Sequence, residues 1–336
     1  MKEEKKYILD LLKMIGMLLI INSHADIFFP ERLRILATGG AIGNSIFFII
    51  SGYLTKIPHD NENWKRILFR FFRLYLPMYI VLILNIFTDK NPLARIHDFA
   101  SAVDVLLWPT PYWFVSSFFV GFILLSVCRE SWFENSAKYA VFSLVIFVVY
   151  LLCYCFGLSE KYKYIIEDGY LFETGIQFKC IYTFYIYTLG YYIRLSGKTV
   201  SGRKAVIITT SSLVLFYGFK YLLQIHTVSM QFQVITHAFV ISFSYGILNL
   251  ALAYEKEYIK VVRPWLRKII GKLSMISLES YIVQMLLIPV IHQLPGLKFP
   301  FNYCFLITAV LLSAFCLHQV DGMMLKKIRS VLFSNR

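Results

Sequence analysis

Lys13 and His24 stand eleven residues apart in the first apolar segment of the chain. Eleven steps of about 100° return a helix to nearly the same face, so the amine and the imidazole look into one space roughly 16 Å apart along the axis. Asp10, one turn ahead of Lys13, extends the stripe. Taken singly, these residues have plain readings: an interfacial histidine, and a lysine snorkelling its ammonium to the membrane surface. Lys13 lies deep for snorkelling, however, and three ionisable groups share one face of an apolar helix. Such groups line a bundle interior or a wet cavity. The face offers a cation at one end and a proton acceptor at the other.

Three further segments carry polar groups in apolar surroundings. The second apolar run contains Phe47-Phe48-Ile49-Ile50-Ser51-Gly52. Gly52 allows another backbone, or a thin ligand, to come close, and small-residue helix packing is the alternative use. Next, Arg66, Arg70 and Arg73 follow i, i+4, i+7 spacing on one helix face ahead of Pro77. Guanidinium groups so arranged suit bidentate phosphate binding, and they serve equally as an anchor on anionic lipid. Late in the chain, Ser277, Ser280 and Gln284 share one face, with Glu279 off that stripe. Polar stripes of this kind commonly hold helices together. His237, His292 and His318 read as makers of local hydrogen bonds.

The elements that must position these groups are membrane helices. The chain has 336 residues, of which 58% are hydrophobic and 16% charged. A soluble protein carries roughly 25% charged residues. Apolar blocks of about 20 residues span a bilayer. We read an all-α, polytopic bundle of about ten spans: 8–28, 39–57, 74–88, 112–128, 138–156, 178–195, 204–224, 232–254, 273–292 and 300–319. Residues 1–336 form a single integral-membrane domain on this reading, and the basic flank ahead of the first span is followed by no small-residue cleavage site.

The net charge of +14 raises nucleic acid as a partner, but its distribution explains it as topology. When charges toward span ends are counted with the adjoining loop, 24 of the 34 Lys and Arg fall on the side of the termini and 9 on the other, with Lys13 inside the first span. The positive-inside rule then puts both termini in the cytoplasm. Cys128, Cys153, Cys155, Cys180, Cys304 and Cys316 sit mostly in apolar runs and read as small core residues, with neither a disulfide framework nor a metal site. The longest outer loops are about 89–111 and 157–177. The first ends in Trp108-Pro109-Thr110-Pro111-Tyr112-Trp113, suited to an interfacial belt. The second carries Glu160, Glu167, Asp168 and Glu173 among tyrosines, a pattern that fits sugar binding but equally an ordinary solvated loop.

In this order the segments resemble acyltransferase family 3, membrane proteins that O-acylate cell-surface polysaccharides. That family opens with an arginine or lysine separated by ten residues from a histidine, as Lys13 and His24 are. Its Phe-Phe-x-x-Ser-Gly motif is met by Phe47, Phe48, Ser51 and Gly52, and its arginine-rich entry to the third helix by Arg70, Arg73 and Pro77. Trp113-Phe114-Val115 opens the fourth helix in the family manner, and the late Gly-Lys-x-Ser segment is present from Gly271. Lys13 stands where arginine is commoner, and Gln284 stands where many relatives carry a second histidine. The soluble esterase-like domain fused to some relatives is absent from the chain.

The resemblance implies an acyl-CoA co-substrate, most simply acetyl-CoA, with no metal, and a saccharide hydroxyl as acceptor. Arg70 and Arg73, with Arg66 behind them, would take the phosphates. Ser51 and Gly52 would line the passage of the donor arm. His24 would act as general base or accept the acyl group itself, with Lys13 binding the donor or stabilising developing negative charge. It further implies a bacterial cytoplasmic membrane location, contact with membrane lipid and partners in polysaccharide assembly, and no nucleic acid. Two other classes stay open: a transporter or flippase of a lipid-linked saccharide, and a polysaccharide polymerase.

Overall fold

The computed structural model describes residues 6–57, 63–86, 92–160, 176–225 and 233–333, and every regular element among them is helical. In chain order these are α1 (Tyr7–His24), α2 (Gly40–Leu54), α3 (Asn63–Ile86), α4 (Phe99–Leu106), α5 (Trp113–Val127), α6 (Ser131–Glu134), α7 (Ser136–Glu160), α8 (Ile176–Ser196), α9 (Gly202–Ile225), α10 (Gln233–Val261), α11 (Pro264–Met275), α12 (Ser277–His292) and α13 (Phe301–Phe333). Short 3-10 turns fill several of the connections.

Among the described residues, six helices are long and apolar enough to cross a membrane, and a seventh crossing forms if α11 and α12, bent by 58°, count as one. The chain is therefore a multi-pass membrane protein. Each of the ten apolar segments coincides with helix, but α2 and α5 are shorter than a full span, and α8, rich in tyrosine, falls outside the set. The bend within 273–292 falls at Ile276, which leaves helical geometry between α11 and α12.

The third segment differs most from its sequence reading. We expected a short span at 74–88 preceded by an arginine-rich surface helix. α3 instead runs unbroken from Asn63 to Ile86 and carries Arg66, Arg70 and Arg73 within it. Arginine is a good helix former with a long apolar stem, so the charges interrupt the hydropathy without interrupting the helix. Pro77, inside α3, removes one backbone donor there.

Packing divides the chain into two units, and three of the five boundaries between them fall inside α1, α2 and α5. The first comprises Met1–Leu9, Ser45–Thr55 and Val120–Val262. Here α2 crosses α8 backbone to backbone. A Cβ on Gly52 would overlap the Tyr187 carbonyl, and a Cβ on Gly190 would overlap that of Ile49. Thr55 closes the contact, with its hydroxyl 2.6 Å from that of Tyr187 and its carbonyl accepting from Arg194. Buried Glu255 of α10 accepts from the backbone N–H groups of Tyr7 and Ile8 at 2.8 and 3.0 Å. A carboxylate at a helix N-terminus satisfies orphan donors and suits the positive end of the dipole.

The second unit comprises Asp10–Asn44, Lys56–Phe119 and Arg263–Arg336. Segment 89–111, expected to be a plain outer loop, holds α4, which a capping box starts. Asp98 Oδ1 accepts from the Ser101 N–H at 2.7 Å, and Ser101 Oγ accepts from the Asp98 N–H at 2.9 Å. Beyond α4 the chain is tied by hydroxyls. Tyr75 and Ser116 donate to the Leu107 carbonyl, Tyr79 to that of Leu106 and Tyr281 to that of Pro111, at 2.7–3.1 Å. One of these carbonyls, that of Leu107, faces the helical position where Pro111 has no N–H to give. Residues 161–175 of the other long loop, with Glu167, Asp168 and Glu173, lie outside the described residues, as do the side chains of Glu160 and Cys155.

Candidate functional site

α1 carries Lys13 and His24, both half-buried, within one unbroken helix, so their axial separation is the roughly 16 Å of three turns. Within the second unit, two sets of contacts hold the two ends of α1. Asp10 Oδ1 accepts from Ser274 Oγ at 3.1 Å, just ahead of the α11–α12 bend. At the other end, Asn22 meets the Tyr303 hydroxyl at 3.0 Å, and Phe28 packs edge-on against His292 with ring centroids 5.8 Å apart. The Lys13 end of α1 thus accompanies the bend, and the His24 end accompanies the C-terminal end of α12.

α3 brings Arg73 into the field of Glu279, three residues beyond Ile276 at the bend. Arg66 and Arg70 are half-buried, and the Arg73 side chain is exposed. Arg73 feels the fields of Arg70, Glu279 and Asp321. Those two carboxylates belong to a buried cluster. His318 Nδ1 of α13 lies 2.7 Å from Glu279 Oε1 and 4.0 Å from Asp321 Oδ1. Glu279 and Asp321 are 4% and 2% exposed. Ligand-type atoms of the three residues lie within 4.8 Å of one another, the one such group among the described residues. One imidazole and two carboxylates would suit a divalent cation. Beside them Arg73 supplies resident positive charge, and the guanidinium and a cation would compete for the same electrostatic role.

Ser51 and Gly52 fall in the first unit, apart from the unit that holds Lys13, His24 and the three arginines. Of the two uses open to Gly52, the close approach is made by the Tyr187 backbone. Ser51 is half-buried, and its carbonyl accepts from Thr55 Oγ1 at 2.7 Å. A cavity of about 570 Å³ also opens in the first unit, lined by Phe147, Tyr150, Tyr182, Tyr185, His237 and apolar neighbours. His237 bonds the Tyr150 hydroxyl at 2.5 Å and stacks on Tyr182. His237 and His318 therefore make bonds across helices, not local ones.

Sequence reasoning did not single out Asp321 and gave Glu279 and His318 no part in chemistry. The signal was present: His318 and Asp321 are three residues apart, one turn of an apolar helix, and ionisable residues so placed mark functional positions. Glu255 was likewise missed, because its partners are backbone groups some 250 residues away.

A family model described as an acyltransferase domain, that of acyltransferase family 3, matches residues 6–319, nearly the whole chain. No curated protein and no solved structure matches the chain.

Proposed function

Because the chain belongs to acyltransferase family 3, we propose that it moves an acyl group, most simply acetyl, from cytoplasmic acyl-CoA to a hydroxyl of a cell-surface or exported polysaccharide. On this proposal it works as one domain in a bacterial cytoplasmic membrane, crosses it about ten times with both termini inside, and hands its product to the machinery of polysaccharide assembly.

The observation that carries the reading is the span of α1 between two differently equipped ends. Asp10, one turn before Lys13, bonds Ser274 at the α11–α12 bend, Arg73 of α3 lies in the field of Glu279 just beyond that bend, and His24 lies three turns from Lys13 toward His292. Coenzyme A has the matching asymmetry, with phosphates at one end and a thioester at the other. Arg70 and Arg73, with Arg66 ahead of them, bind the phosphates through charge-assisted bonds. Lys13 neutralises negative charge on the donor or in the transition state. Gly52 keeps α2 seated on α8.

His24 works by one of two routes. As general base, it takes the proton of the acceptor hydroxyl while that oxygen attacks the thioester carbonyl. The C–S bond then breaks, and the leaving thiolate recovers the proton from the imidazolium. As nucleophile, an imidazole nitrogen displaces the thiolate first, and the acceptor oxygen then takes the acyl group from the ring while its proton passes to the thiolate. Both end in an ester and free CoA.

The test uses purified protein in lipid nanodiscs, given acetyl-labelled CoA and polysaccharide extracted from cells lacking the chain. Label should pass to the polysaccharide with wild type and not with His24→Ala. Polysaccharide that stays unlabelled with wild type, across several acyl lengths, contradicts the reading.

A further inference from the structure

The polar face of α12 does not hold helices together in the way its sequence suggests. Ser277 turns its Oγ back to the Ser274 carbonyl at 2.9 Å. Ser280 Oγ and both amide atoms of Gln284 meet no hydrogen-bond partner among the described residues. Ser280 and Gln284 lie one turn apart on the same face, and each is 0% exposed. A carboxamide buried in this state costs the fold the desolvation of its two donors and its carbonyl oxygen, and an apolar side chain of the same size would cost less. Residues that break a local rule of this kind are found where function requires them.

Their position says what that function is. Glu279, the neighbour of Ser280, is within the electrostatic reach of Arg73. Gln284 lies about 7 Å further along α12, and His292, packed on Phe28 near the His24 end of α1, about 12 Å beyond that. Asn44 presents a second unmet carbonyl oxygen, and the preceding Gly43 meets α1 at Gly16 and Ile20, between Lys13 and His24. The unmet amides thus occur between the cationic end and the histidine end of the second unit.

We propose that Ser280 and Gln284 bind the amide-bearing arm of the donor. Gln284 Nε2 donates to a carbonyl of the pantetheine arm, and Gln284 Oε1 accepts from an arm N–H. A primary carboxamide offers a donor and an acceptor in one plane, the complement of a secondary amide. Ser280 Oγ supplies a further bond one turn nearer the phosphate end. The assignment rests on the acyl-CoA reading above. An arm held by its phosphates at Arg70 and Arg73, with its thioester at His24, passes this level of α12.

The experiment measures equilibrium binding to the full chain in nanodiscs for two probes: coenzyme A, and adenosine 3′,5′-bisphosphate, which has the nucleotide end but no arm. The unfolding temperature is measured alongside. Gln284→Leu should weaken coenzyme A binding about tenfold, leave the bisphosphate within about twofold, and hold or raise the unfolding temperature. Ser280→Ala should show the same pattern with a smaller loss. Equal coenzyme A affinity in wild type and Gln284→Leu overturns this assignment and leaves the donor reading standing. Lowered unfolding temperatures in both Gln284→Leu and Gln284→Met mean that the amide holds the fold, which also overturns it. A wild-type chain that binds neither probe overturns the donor reading, and the assignment with it.

Discussion

Glu279 of α12 and His318 of α13 meet at 2.7 Å between Oε1 and Nδ1, with Asp321 Oδ1 4.0 Å from the same nitrogen. The contact joins two helices across 39 residues of sequence, inside the protein and within the field of Arg73.

Loss of the Glu279 carboxylate leaves His318 without this partner and leaves Asp321 as the one carboxylate of the cluster. Glu279→Ala should destabilise the chain by about 3 kcal/mol, and Glu279→Gln, which keeps one acceptor at the same place, by about 1 kcal/mol. Thermal unfolding in detergent, compared with wild type at one pH, checks both. Equal unfolding temperatures for all three would remove the cluster from the account of what joins α12 to α13.

The crossing of α2 and α8 tolerates no side chain at Gly52 or Gly190. Gly52→Ala and Gly190→Ala should each cost about 2 kcal/mol or more, because the added carbon meets backbone, which cannot rotate away. Gly218, inside α9, meets nothing within 4 Å of an added Cβ. Gly218→Ala should be neutral, or stabilising by up to about 1 kcal/mol. Expression level and unfolding temperature of the three variants separate packing from mere helix propensity.

Glu255 acts as a cap supplied from α10 to the start of α1. Glu255→Ala should cost about 1 kcal/mol and speed hydrogen exchange at the Tyr7 and Ile8 amides above the change elsewhere in α1. Unchanged exchange at those two amides would mean that the carboxylate does not hold them in solution.

Arg73→Leu should raise KM for the acyl donor about tenfold or more, while KM for the acceptor stays near wild type. Arg73→Lys should recover only part of the loss, because an ammonium lacks the planar fork that matches a phosphate. Added salt should narrow the difference between wild type and Arg73→Leu. A rise in acceptor KM instead would move Arg73 away from the donor.

Local patterns in the sequence carried the helices and much of the candidate site. Lys13 and His24 share α1 as their spacing requires, and each apolar segment coincides with helix. Arg66, Arg70 and Arg73 had the right periodicity, but hydropathy placed them ahead of α3, since it counts their charges and ignores their stems. Asp98 and Ser101 spelled the start of α4, yet the prolines of 109 and 111 made the whole segment read as loop. Relationships between distant residues were not legible. The Tyr75, Tyr79 and Tyr281 hydroxyls find carbonyls 27 to 170 residues away, and one-dimensional spacing holds no trace of such pairs. The same is true of Glu279 with His318, and of the buried, unmet amide of Gln284.

The central claim is tested most directly by the ester content of the surface polysaccharide, measured by proton NMR before and after mild alkali. Cells would carry the wild-type chain, His24→Ala at matched expression, or neither. The account predicts alkali-labile acyl signals with wild type alone, which would also identify the acyl group and the sugar that bears it. Identical spectra from the three strains would contradict acyl transfer to that polymer, and a signal surviving in His24→Ala would contradict the role given to His24.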